Sequence, residues 1–458
     1  MNIIVLNGSP KGKMSATMQS INFIQKRFPQ HDLKIINISQ NLPRIERDDT
    51  LFNGILDDIK SADGIIWGFP LYYFLVHSNY KRFIEIITER NAESVFEYKH
   101  TAAISTSIHF FDHTAHNYIR AICDDLNMNF VGSFSADMYD LVETKERQRL
   151  LLFVEGFFQA IENRMVASKT YWPLTYPSFE YNPGEPSEQI DIGGKEVLVL
   201  TDSDDIHTNL GKMIDRFKKS FSGEVQVFDL NELNIKGACQ GCCQCGLDNS
   251  CIYQGQDDFI DFYNSKVKTA DILVFAGNIR DRYLSSRWKL FFDRSFFNGH
   301  SPSLSGKQMG YIVSGPLRQI ANLRQILESY TGIQEANLAD IITDEYGDSG
   351  QIDALLDGFA KRLIHLSEIN YMKPPNFLVI GGKKVFRDDI WGRLRFVFQA
   401  DYALYKNHGM YDFPQKDYKM RARNAMMMLL TKIPIFKKEF VKRLKGEMIK
   451  PHQKVLGE

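Results

Sequence analysis

Five of the six cysteines in this chain crowd into thirteen residues, Cys239-Gln240-Gly241-Cys242-Cys243-Gln244-Cys245-Gly246-Leu247-Asp248-Asn249-Ser250-Cys251. With Cys243 set aside, Cys239, Cys242, Cys245 and Cys251 follow the spacing C-x2-C-x2-C-x5-C. Thiolates this compact can curl around a cubane, and C-x2-C-x2-C is the core of many 4Fe–4S sites. A four-thiol zinc site usually has two C-x-x-C pairs held apart, and clustered cysteines in a reducing compartment rarely form disulfides; an empty loop is the remaining alternative. Cys243 is expected to be a spare thiol turned outward, and Cys123 a helical core residue. A second candidate is Asn7-Gly8-Ser9-Pro10-Lys11-Gly12-Lys13-Met14-Ser15-Ala16-Thr17. Glycine admits a phosphate close to the backbone, hydroxyls donate to its oxygens, lysine adds charge and a following helix adds its dipole; a plain polar turn has the same composition. His109, His113 and His116 fall at i, i+4 and i+7, where one helix face could present all three to a metal, although no acidic or thiol ligand completes such a site.

The elements that must position these residues come from an internal repeat. Ser61-Ala62-Asp63-Gly64-Ile65-Ile66-Trp67 matches Thr269-Ala270-Asp271-Ile272-Leu273-Val274-Phe275, and Tyr80-Lys81-Arg82-Phe83-Ile84-Glu85 matches Trp288-Lys289-Leu290-Phe291-Phe292-Asp293, both at an offset of 208 residues. The opening apolar runs Ile3 to Leu6 and Val197 to Leu200 match at 194, so the second copy carries 208 − 194 = 14 extra residues, and the cysteines fall among them. Short apolar strands between amphipathic helices predict a doubly wound parallel α/β sheet in each copy. The expected domains are 1–168, a proline-rich linker 169–190, 191–371 and a basic helical extension 372–458. In the extension, Asp388 or Asp389 is expected to cap a helix running to Lys406, ended by His408-Gly409. Asp49, Asp257 and Asp258 are also expected as helix caps.

Gly8-Ser9-Pro10-Lys11 followed by Ser15-x-Thr17 resembles the phosphate loop of the NADPH-dependent FMN reductase family, whose fold is flavodoxin-like. That family follows its third strand with Pro-x-Tyr and an aromatic, then a Lys-x-Phe helix; here these read Pro70-Leu71-Tyr72-Tyr73 and Lys81-Arg82-Phe83. The resemblance implies an FMN cofactor held by Ser9, Pro10, Lys11, Ser15, Ala16 and Thr17, with Pro70, Leu71, Tyr72 and Tyr73 around the isoalloxazine. Ser105, Thr106 and Ser107 would touch its far side. The cysteine motif resembles that of the iron–sulfur flavoprotein branch, which implies a 4Fe–4S cluster on Cys239, Cys242, Cys245 and Cys251; some relatives keep similar cysteines with no demonstrated cluster. The implied activity is an oxidoreductase that passes electrons from NAD(P)H, or from a ferredoxin-like carrier, through FMN and the cluster to a small-molecule or protein acceptor. In the second copy the first loop reads Thr201-Asp202-Ser203-Asp204-Asp205, whose carboxylates would repel a phosphate, and Pro70-Leu71-Tyr72 becomes Asn278-Ile279-Arg280. Flavin and cysteines are thus divided between the copies, as in a dimer fused into one chain, a pseudo-dimer that can oligomerise further.

A net charge of −1 gives no global attraction for nucleic acid. The N-terminus lacks the basic start and long apolar core of a signal peptide, which predicts a cytoplasmic protein. From Lys416 onward, twelve basic residues face four acidic ones, and Phe436, Phe440, Leu444 and Met448 recur at helical spacing. Such a helix suits an anionic membrane surface; packing on the protein body is the favoured expectation.

Overall fold

Strands β1 (Asn2–Asn7), β2 (Asp32–Asn37), β3 (Gly64–Pro70), β4 (His100–Ser107) and β5 (Asn129–Asp137) form a parallel sheet in the order β2-β1-β3-β4-β5. Strands β6 (Val197–Thr201), β7 (Val225–Asp229), β8 (Ile272–Asn278), β9 (Gln308–Ser314) and β10 (Asn337–Thr343) repeat it as β7-β6-β8-β9-β10, again all parallel. This is the flavodoxin order, twice. The computed structural model describes residues 1–203, 205–412 and 417–456, the side chains of 445–449, 451, 454 and 456 excepted. Asp204, one of the three loop aspartates, lies outside the described residues.

The strands read as unbroken apolar runs because helices cover both faces: β3, β8 and β9 are each buried at every position but the last. Each sheet has its own outer core, built around Ile3, Val5, Met18 and Phe157 in the first half and Val197, Met213, Phe217 and Phe359 in the second. The inner faces share one core that runs from Trp67, Phe69 and Tyr80 to Phe275, Trp288 and Phe291. The helix Ser78–Glu89 packs there against its counterpart Ser286–Arg294. Their polar contacts are reciprocal. The amide of Ser286 donates to Glu85 at 2.7 Å, and the amide of Ser78 donates to Asp293 at 2.7 Å. Lys81 pairs with Glu85 at 2.8 Å, and Lys289 pairs with Asp293. Residues 208 apart exchange contacts across the junction, the signature of an isologous interface joined into one chain.

The chain divides into two compact units, Met1–Ala403 and Leu404–Glu458. In the first, the proline-rich stretch has no regular secondary structure, yet Tyr181 is fully buried in the outer core of the second sheet. The expected helix from Asp388 or Asp389 to Lys406 is instead two. Asn376 caps the helix Phe377–Trp391 through its side chain to the Val379 amide, and a second helix, Gln399–Asn407, begins after a break. Asp388 and Asp389 lie inside the first of these. Asp48, not Asp49, caps Asp49–Ser61.

Candidate functional site

The loop after β1 is held rigid by its own short polar side chains. Asn7 Oδ1 accepts from the Ser9 amide, Ser9 Oγ accepts from the Lys11 amide, and Gly12 takes φ +54° to turn the chain into the helix Ala16–Arg27. Gly8 lies flat against Tyr80, where an added Cβ would stand 2.7 Å from the ring. Ser9, Ser15 and Thr17 are buried, Pro10 is half-buried, and Lys11 and Ala16 are exposed. Ser15 occupies the N-cap position without using its side chain to cap, and Thr17 Oγ1 is buried with no hydrogen-bond partner. Burying a hydroxyl without a partner is unfavourable by about 1–3 kcal/mol, so Thr17 Oγ1 is a donor that the protein itself leaves unused.

The other expected flavin contacts converge on the same sheet edge. Pro70 ends β3, and the Leu71 amide donates to Thr106 O at the end of β4. Tyr72 to Leu75 close a tight turn by exchanging both backbone hydrogen bonds, which forces Tyr73 and Phe74 to φ +37° and +64°. Non-glycine residues in that region are strained, and such strain gathers at functional sites. Thr106 Oγ1 is a second buried hydroxyl without a partner. Ser105 Oγ lies 2.7 Å from His116 Nε2, and Ser107 Oγ accepts from the His109 amide.

The three histidines do not share a helix face. The helix begins at Asp112, His109 sits before it at φ +61° bonded to Asp112, and His113 contacts Gln325. His116 is buried against Phe69, and burial lowers its pKa to about 4. Between about pH 6.5 and 4 the unfolded chain therefore binds a proton at this ring that the folded chain refuses, and stability falls as pH drops through that window. Replacing His116 with glutamine is expected to flatten this part of a plot of Tm against pH; an unchanged slope would disprove it. His31 and His77, also lowered by burial, keep a residual slope of the same sign.

The cysteine loop of the second half lies against this site. A Cβ on Gly241, which has φ +62°, would collide with the Tyr72 hydroxyl and come within 3.1 Å of Lys11 Cε. His77, which caps the helix Ser78–Glu89, accepts from the Asn79 amide at Nδ1; its Nε2–H therefore donates to Cys239 O at 2.9 Å. Tyr72 packs edge-on against His77, and its phenol is pushed well up by burial and then by Cys239, Asp293, Cys243 and Cys242. Burial and the neighbouring Asp293, Cys251 and Cys242 raise the Cys239 thiol to about 12; Cys245 is raised by burial, then by Cys239, Cys243, Cys251 and Cys242. Among the described residues, however, no three His, Cys, Asp or Glu side chains are gathered tightly enough to hold a metal ion. Cys243 does not turn freely outward: it is half-buried at φ +59°, near enough to Lys11 for the ammonium to oppose the upward push of burial. Cys123 is fully buried, as a core residue should be.

Asp258 holds the N-cap position of Phe259–Phe262 but makes no side-chain cap bond, whereas Asp257 Oδ1 accepts from the Phe259 amide at 3.3 Å and does more besides. It forms a buried two-pronged ion pair with Arg294, whose guanidinium also donates to Gly237 O and lies over Tyr253, bracing both ends of the cysteine loop. On the loop's other side, Gly246 abuts Val397 O and Phe398. His77 and Arg294 escaped the motif reading because neither belongs to a recognisable spacing. The 208-residue offset was the available signal for Asp293, the counterpart of Glu85.

At the corresponding edge of the second sheet there is a cavity of about 330 Å³ whose lining includes Tyr176, Phe179, Glu180, His207, Ser314 and Asp344. The linker forms one wall, tied down by Tyr181 N to Asn209 Oδ1 and Asn209 Nδ2 to Phe179 O, both at 2.8 Å. Asp344 is 3% exposed and accepts from Ser314, Gly315 and Asn209. Burial raises the carboxyl of Asp202, in the loop after β6. Ser314, the register counterpart of Thr106, thus spends its hydroxyl on Asp344 at 2.6 Å.

An iron–sulfur flavoprotein of Archaeoglobus fulgidus is 29% identical over 109 residues, 23% of this chain and 47% of that protein, so the chain spans about half the length of this curated relative. Solved structures similar to it include an apo NADH:FMN oxidoreductase (18% identity, 35% of this chain and 89% of that one, TM-score 0.31) and the NAD(P)H:acceptor oxidoreductase FerB of Paracoccus denitrificans (18%, 35% and 97%, TM-score 0.30). The family model for NADPH-dependent FMN reductases matches residues 1–139 and again 196–343. Matched in both halves and over more than half its length, the chain belongs to the NADPH-dependent FMN reductase family.

Proposed function

We propose that this protein is an NAD(P)H-dependent oxidoreductase with one FMN in its first half and a 4Fe–4S cluster on Cys239, Cys242, Cys245 and Cys251 of its second. The observation that carries the reading is the contact of Gly241 with Tyr72 and Lys11, which sets the cysteine loop against the flavin motif. When bound, FMN accepts two electrons from a nicotinamide and releases them singly, and a cluster takes them one at a time. Thr17 and Thr106 would donate their unpartnered hydroxyls to the flavin nucleotide, and Ser9 and Ser15 would line its phosphate. His77 orients the loop carbonyl of Cys239, and Arg294 with Asp257 keeps the loop from collapsing. The linker and carboxylates at the second sheet edge support a single FMN per chain.

Quantifying iron, sulfide, zinc and FMN in anaerobically purified protein tests this. About four iron and one FMN per chain are expected. In Cys245→Ser the iron should vanish while FMN stays and NAD(P)H still reduces it, and transfer to a one-electron protein acceptor should fall at least about tenfold. Zinc in place of iron, or FMN without iron, would refute the cluster.

A further inference from the structure

The unit Leu404–Glu458 carries a surface that neither the flavin motif nor the cysteine loop explains. Its helix Tyr418–Leu430 has no buried residue, although it contains Met426-Met427-Met428-Leu429-Leu430. A helix of thirteen residues is marginal in water without an apolar face to bury. The next helix, Pro434–Leu456, repeats the pattern. Phe436 is 52% exposed, Ile435 80% and Val441 60%, and Phe440 and Leu444 are exposed beside them.

The charge identifies what should cover these side chains. Lys416 to Glu458 contains 12 basic and 4 acidic residues, a net of +8. The remaining 415 residues hold 43 basic and 52 acidic ones, a net of −9. The two signs are therefore sorted along the chain. Among the described residues Lys437, Lys438 and Lys442 have no ion-pair partner, and Arg443 pairs only with Glu439. Exposed methionine, leucine and phenylalanine interleaved with unpaired lysine match a surface that is apolar beneath and anionic on top. No described helix is long and apolar enough to cross a membrane.

We infer that the unit Leu404–Glu458 docks on the surface of an anionic lipid bilayer. It lies in the interface, with Met426, Leu429, Phe436, Phe440 and Leu444 entering the acyl boundary and Lys437, Lys438 and Lys442 on the headgroups. This reverses the expectation that the basic helix packs on the protein body.

The test is flotation of the full-length protein with vesicles of phosphatidylcholine alone or mixed with phosphatidylglycerol. Partitioning should be on the order of a hundredfold stronger with the anionic lipid, fall with added salt, and be lost in Phe436→Ser/Phe440→Ser/Leu444→Ser. Lys437→Gln/Lys438→Gln/Lys442→Gln should lose the preference for anionic lipid. The triple serine variant should leave the Tm unchanged in the absence of lipid. Three results would overturn the inference: no flotation with anionic vesicles; a large fall in Tm of the serine variant, meaning the helix packs within the protein; or self-association that the serine substitutions abolish while vesicles bind nothing, meaning a second copy covers the face.

Discussion

Replacing Asp293 with alanine is expected to destabilise the protein by about 3–5 kcal/mol, the range for breaking a buried ion pair from one side. Asp293 is 1% exposed, and it is the carboxylate that compensates Lys289, which is fully buried. Burial already pushes the Lys289 ammonium below its ordinary pKa against the pull of Asp293, so loss of the carboxylate leaves it discharged and without a strong acceptor. The same substitution strips the Ser78 amide of its acceptor at the start of the facing helix. The symmetry-related Glu85→Ala should be milder, because Lys81 keeps Asp281 at 2.9 Å; together the two carboxylates outweigh burial and raise its pKa. Chemical denaturation of both variants, with Lys289→Met and Asp293→Ala/Lys289→Met completing a double-mutant cycle, measures this. The double variant should recover most of the loss, since an apolar pair in place of a buried ion pair is close to neutral. Equal losses for Asp293→Ala and Glu85→Ala would show that the junction does not discriminate its two lysines.

Thr17→Val is expected to weaken FMN binding on the order of ten- to a hundredfold while leaving the apoprotein as stable as before, or slightly more so. The shapes of the two side chains are nearly the same, and Thr17 Oγ1 is buried with no protein group to bond to. Removing it relieves a desolvation penalty in the free protein and deletes a hydrogen bond to a charged group in the loaded one, worth about 1.5–3 kcal/mol. A residue that merely packs would shift both measurements together. Titration of FMN by fluorescence quenching, beside thermal unfolding of the apoprotein, separates the cases. A fall in apoprotein Tm with unchanged FMN affinity would remove Thr17 from the site. Thr106→Val should behave in the same way, because its hydroxyl is orphaned at the neighbouring strand end.

Much of this was legible along the chain. Apolar runs such as Ile3 to Leu6 and Val197 to Leu200 became central strands because only a strand covered on both faces tolerates four consecutive apolar residues. The repeat at 208 residues reappeared as equal strand register, Gly64 opposite His100 and Ile272 opposite Gln308. Failures came where a residue type fits several local roles. The spacing of His109, His113 and His116 suggested one face, but Phe111 at φ +54° delays the helix to Asp112. Asp258 looked like a cap, yet its side chain makes no cap bond, while Asp257 beside it also pairs with Arg294, 37 residues on. Asp388 and Asp389 looked like a helix start because nothing local reveals that Asn376 has already opened one.

Periodicity, glycine placement and cysteine spacing act over a few residues, so the sequence alone determined two parallel α/β sheets, the shape of the loop after β1 and a thiol-rich loop after β7. The meeting of Gly241 with Tyr72, the grip of His77 on Cys239 and the closing of the second sheet edge by the linker join residues distant along the chain. Such contacts depend on how two sheets bury a common apolar face, and that is decided by the packing of the whole core.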